Sequence, residues 1–86
     1  MVAKPAWIME RYRALGGDSG VVAYQIGERA IAVQFHSGEI YHYTYASAGR
    51  RNIERMKRLA RAGKGLSTFI SQHVHDACAS KDPAPR

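Results

Sequence analysis

Seven basic residues fall within positions 50–64: Arg50, Arg51, Arg55, Lys57, Arg58, Arg61 and Lys64, against one acid, Glu54. The rest of the 86-residue chain carries six basic and six acidic residues, so the whole net charge of +6 belongs to this segment. Charge of one sign gathered in one place is an electrostatic footprint for phosphates, acidic proteins or anionic lipid. At 100° per residue Arg51, Arg55 and Arg58 form one row, and Arg50, Lys57, Arg61 and Lys64 another. Like charges three or four residues apart oppose the helix that carries them by about 0.2–0.5 kcal/mol per pair. Balanced Glu–Lys pairs would solvate the same face without that penalty. Five of the seven are Arg, whose planar fork matches phosphate oxygens. These seven are the candidate nucleic-acid-binding residues. The competing reading is a face that serves only solubility.

Other residues of chemical interest are weaker. Gly63-Lys64-Gly65-Leu66-Ser67-Thr68 offers backbone amides, a lysine and hydroxyls at a helix start, an anion-friendly arrangement. It is not a P-loop, because Gly65 stands where that motif needs Ser or Thr and the segment follows a helix rather than a strand. A tight helix–helix turn explains it as well. Tyr41, Tyr43 and Tyr45 have the alternation of a strand face and could stack bases, but core packing accounts for them better. His75 and Cys78 are spaced as a dyad on a helix, with no third group to orient the base. His73 and His75 point in different directions on a helix, and His36, Glu39 and His42 lack metal-ligand spacing. We therefore expect no catalytic residue, no metal and no cofactor, and a non-enzymatic protein.

The elements that must position these residues follow from periodicity. Pro5 starts a short helix over 5–15 with Trp7, Ile8, Tyr12 and Leu15 as its apolar stripe, ended by Gly16 and Gly17. Segments 21–26, 30–36 and 39–45 alternate with period two and read as three antiparallel strands. A three-residue His36-Ser37-Gly38 loop, with Gly38 left-handed, pairs Val33 with Tyr41 and Ile31 with Tyr43. That register puts Ile31, Val33, Phe35, Tyr41, Tyr43 and Tyr45 on one face; a one-residue slip would scramble it. Over 49–62, Ile53, Met56, Leu59 and Ala60 share one side of a helix opposite the basic residues. Leu66, Phe69, Ile70, His73, Val74 and Ala77 form the stripe of a second helix. Residues 80–86, with Pro83 and Pro85, read as a disordered tail.

The expected fold is α+β: a three-stranded antiparallel meander, two C-terminal amphipathic helices packed on its aromatic face, and a short N-terminal helix. The domain division is an N-terminal helical extension at 1–17, an α+β domain at 18–79 and a tail at 80–86. Both outer strands are expected to be unpaired edges, open to dimerisation.

Val33-x-Phe35-x-x-Gly38-x-x-Tyr41-x-Tyr43, followed by a helix, the turn Ala62-Gly63-Lys64-Gly65 and an amphipathic helix, resembles the KTSC domain. The resemblance covers roughly residues 20–79. The family occurs at the C-terminus of some lysyl-tRNA synthetases and as single-domain bacterial proteins of this length. Its central mark is the Tyr-x-Tyr pair, and the synthetase association implies RNA binding. The chain departs from the pattern in having Tyr45-Ala46-Ser47-Ala48 where Val-Pro often follows the second tyrosine. It also has Ser67 and Thr68 where an Asn is frequent near the start of the last helix.

Length allows one small domain and excludes a multi-domain enzyme, and 45% apolar with 23% charged residues is a globular composition rather than a disordered one. A single cysteine, Cys78, fits a reducing compartment, and no apolar run of signal-peptide or membrane-spanning length is present. The expectation is a cytoplasmic, non-membrane module binding RNA or another nucleic acid through 50–64. The alternative is a protein-interaction or oligomerisation module, docking an acidic protein or forming a homodimer.

Overall fold

The computed structural model describes residues 9–15 and 20–83. Within them the strands β1 (Glu10–Arg11), β2 (Val21–Ile26), β3 (Ala30–Phe35), β4 (Ile40–Thr44) and β5 (Ser80–Asp82) form one antiparallel sheet in sequence order. Three helices, α1 (Tyr45–Ala48), α2 (Arg50–Ala62) and α3 (Leu66–His73), lie between β4 and β5 in the chain. The class is α+β.

The central hairpin has the expected register. Val33 pairs with Tyr41 and Ile31 with Tyr43. The connecting loop is His36-Ser37-Gly38, closed by Phe35 N–H to the Glu39 carbonyl (2.9 Å) and Gly38 N–H to the Phe35 carbonyl (2.8 Å). Gly38 has φ +97°, which a side chain would strain. Ile31, Val33 and Tyr43 are buried together with Ile53, Met56 and Ala60 of α2, Leu66 and Ile70 of α3, and Val74. A bulge between Val21 and Ala23 shifts the β2 register, so that Val21 and Tyr24, three residues apart, both join this core.

The edges depart from expectation. Where the sequence predicts a helix over 5–15, Glu10 and Arg11 pair with Tyr24 and Ala23 as β1; residues 1–8 and 16–19 lie outside the described part. Eleven residues make a marginal helix alone, whereas the β2 edge offers ladder bonds such as Tyr12 N–H to the Val22 carbonyl (2.9 Å). Tyr12 is buried, and its hydroxyl accepts the Leu66 N–H at the start of α3 (3.2 Å). Ala14 has φ +53°, incompatible with a right-handed helix there. Leu15 N–H then donates to the Gly63 carbonyl (2.6 Å), and Arg13 Nη2 to the Arg61 carbonyl (2.7 Å).

At the other edge, Ser80–Asp82 is strand β5 rather than tail, pairing with His42, Tyr41 and Ile40. Ala79 N–H donates to the His42 carbonyl (2.6 Å), and His42 Nε2 meets Asp82 Oδ2 at 2.8 Å. The sheet is thus five-stranded, and both edges expected to be unpaired are covered.

Two helix boundaries differ as well. Tyr45 does not continue β4. Thr44 and Ser47 form a capping box, each side chain bonding the other's backbone N–H at 3.0 Å, and Tyr45 opens α1. The last helix ends at His73, not Ala77, with Val74 as its buried C-cap.

Candidate nucleic-acid interface

α2 is held by its apolar stripe: Ile53 and Met56 are fully buried, Ala60 is nearly so, and Leu59 is half-buried. It stops at Gly63, left-handed at φ +74°, whose N–H bonds the Leu59 and Ala60 carbonyls. Gly65, also left-handed at φ +81°, caps α3, so Gly63-Lys64-Gly65 is the tight helix–helix turn. One amide of the suggested anion site, that of Leu66, is already bonded to Tyr12.

Fixing the stripe aims the opposite face outward. Arg50, Arg51, Arg55, Arg58, Arg61 and Lys64 are all exposed. Among the described residues, none of these six forms an ion pair. Arg51 to Arg58 spans about 10 Å along the axis at 1.5 Å per residue. The first turn contains Arg50 and Arg51 and no acidic residue. Cations there oppose the positive end of the helix dipole by about 0.3–1 kcal/mol each, an unfavourable arrangement that an arriving anion relieves.

Lys57 leaves the candidate set. Only 6% exposed, it is the one buried charge among the described residues. Its Nζ donates to the Glu28 carbonyl (2.8 Å) and to Glu54 Oε2 (2.9 Å), and sits 5.7 Å from the Tyr45 ring centroid. Helical position alone assigns Lys57 to the polar side, but the β2–β3 turn reaches over that flank and captures it. Tyr45 O–H also donates to Glu54 Oε2 (2.6 Å). That bond, then the Lys57 bond, holds the Glu54 carboxyl below its ordinary range, and the bond to Glu54 pushes the Tyr45 phenol up. The pair lies within α2 and is structural: Lys57 ties the helix to the β2–β3 turn through the Glu28 carbonyl, and Glu54 ties it to α1 through Tyr45.

Sequence reasoning missed Arg29. It is exposed on the β2–β3 turn and, with Arg50, Thr44 and Tyr45, lines an open groove of about 770 Å³ at the start of α2. Its charge is invisible in a composition that cancels outside 50–64; only the return of the turn beside α2 adds it to the basic face.

The tyrosines divide. Tyr43 is 1% exposed and its burial pushes its phenol well up. Tyr41 is half-buried, and Tyr45 has left the sheet face for α1. His73 is exposed with its ring stacked on Phe69 at 4.7 Å. His75 and Cys78 lie beyond the end of α3, which removes the helical spacing of the suggested dyad; His75 Nδ1 instead meets Asp76 Oδ1 at 3.0 Å. Among the described residues no three His, Cys, Asp or Glu side chains converge as metal ligands, and no helix is long and apolar enough to cross a membrane.

Compared with protein-family models, curated proteins and solved structures, the chain matches none.

Proposed function

We propose that this chain is a small, non-enzymatic nucleic-acid-binding module that grips the phosphates of RNA with the solvent face of α2. One observation carries the reading: Arg51, Arg55, Arg58, Arg61 and Lys64 are exposed together and, among the described residues, lack any carboxylate partner. Arg51, Arg55 and Arg58 make the central contacts; Lys64 adds one past the helix end, and Arg29 with Arg50 extends the face past its start. Such contacts supply affinity and orientation with little sequence preference. The preference for RNA over DNA rests on the KTSC resemblance, which we propose as the chain's family. A lone thiol suits a reducing compartment, so the cytoplasm is its proposed place of work.

The test is the double charge reversal Arg55→Glu with Arg58→Glu. Both side chains are exposed, so the melting temperature should hold while binding to labelled single-stranded RNA is lost. Undiminished RNA binding by the variant would defeat the reading. Failure of the unmodified protein to bind any nucleic acid would make α2 a docking face for an acidic protein instead.

A further inference from the structure

A second site lies on the α3 side of the sheet, away from the exposed face of α2. The sheet surface is left open where α3 meets β4 and β5, giving a cleft of about 320 Å³. That is the lower end of small-molecule pockets, enough for one planar ring with a substituent. Its floor is aromatic. The Tyr41 ring is half-buried, with Phe35 set edge-on against it (4.9 Å, 65°). Tyr43, only 1% exposed, also lines the cleft.

The rim is polar and mixed. Ser67 and Ser71, one turn apart on α3, contribute hydroxyls, and His75 with Asp76 adds groups just beyond the helix. Donors and acceptors set around an aromatic floor match a heteroaromatic base, whose edge presents both; a lipid chain would leave them unsatisfied. On the β5 side, Lys81 is exposed and, among the described residues, has no carboxylate partner. Its ammonium rests 4.8 Å from the Tyr41 ring centroid. Asp82, the adjacent acid on β5, is engaged with His42 instead.

We propose that this cleft binds one nucleotide unit: the base stacks at Tyr41, Tyr43 and the α3 hydroxyls read its edge, and Lys81 holds its phosphate. Lys81 moves off the Tyr41 ring as the base takes that place. The same chemistry is offered by a free mononucleotide and by one unpaired residue of a nucleic-acid chain. The site does not depend on the basic face of α2.

The test is amide NMR of the full chain titrated with the four nucleoside monophosphates, with ribose 5-phosphate and a nucleoside as controls, and with a short oligonucleotide. Mononucleotides should shift amides of Tyr41, 67–71 and Lys81. Each control should bind at least tenfold more weakly. Tyr41→Leu and Lys81→Ala should each weaken binding about tenfold or more, and Ser71→Trp, an exposed substitution that fills the mouth, should abolish it. The shifts should persist in the Arg55→Glu, Arg58→Glu variant, which separates this site from α2. A mononucleotide that binds as tightly as the oligonucleotide identifies a free nucleotide as the ligand; a tighter oligonucleotide identifies a residue of a chain. No cleft shifts at millimolar mononucleotide, or binding unchanged in Ser71→Trp, would overturn the proposal.

Discussion

Replacing Lys57 separates the structural cation of α2 from the cations that face solvent. Lys57→Met keeps an unbranched stem of similar length and removes the ammonium. What is lost is the bond to the Glu28 carbonyl at 2.8 Å, together with the bond to Glu54. A hydrogen bond from a charged donor contributes about 1.5–3 kcal/mol, so the first alone predicts a loss of about 2 kcal/mol. Lys57→Ala also empties the space of about three methylene-sized groups, each worth about 0.8 kcal/mol when buried, for a total near 4 kcal/mol. That is a large part of the stability of a domain of this size. At about 4–8 °C per kcal/mol, Lys57→Met should melt roughly 8–16 °C lower by circular dichroism, and Lys57→Ala lower still. Measured well below its melting point, Lys57→Met should bind RNA like the unmodified chain. A Lys57→Met protein that melts normally, or one that stays folded yet loses RNA, would refute the assignment of Lys57 to the structure.

Three further outcomes follow from the same geometry. Gly63→Ala places a Cβ 2.9 Å from the Arg13 Cβ in a backbone at φ +74°, so it should destabilise by about 1–3 kcal/mol in urea unfolding; an unchanged midpoint would contradict the docking of 12–15 on α2. Tyr12→Phe removes the acceptor of the Leu66 N–H and should lower stability by about 1 kcal/mol by the same measurement. The Tyr45–Glu54 bond sets a pH window. Glu54 is held below its ordinary 4.5, so its contribution is present above that value and is lost as pH falls below it. Tyr45 is raised above 10.0, so its contribution is intact below that value and fades as pH climbs past its folded pKa. Melting temperature followed from pH 7 to 3 should fall less steeply in Glu54→Gln; identical slopes would remove this bond from the account.

The parts legible in the sequence are those governed by local periodicity. Ile31, Val33, Tyr41 and Tyr43 alternate, and Gly38 permits only certain loops, so one register sorts the faces and the structure has it. Ile53, Met56 and Ala60 mark the inward side of α2 in the same way. Most of what was not legible depends on distant partners. Glu10 and Ser80 sit in segments too short and polar to show strand alternation, and they pair because β2 and β4 present open edges. Lys57 is indistinguishable from its neighbours on a helical wheel; only the Glu28 carbonyl, 29 residues away, singles it out. Tyr45 shares the alternation of Tyr41 and Tyr43, and the Thr44–Ser47 capping box overrides it. For the candidate site, the charged segment was visible as composition, while Arg29 and the cleft between α3 and β5 required the fold.

The central claim is that α2 holds phosphates, and salt dependence tests it most directly. If Arg51, Arg55, Arg58 and Lys64 each neutralise one phosphate of a single-stranded RNA, log K should fall against log salt with a slope near −2.8, about fiftyfold between 50 and 200 mM. Arg55→Glu with Arg58→Glu should bring the slope to about −1.4 or shallower, with weaker binding throughout. A flat salt dependence, or a slope the double reversal leaves unchanged, would contradict the account.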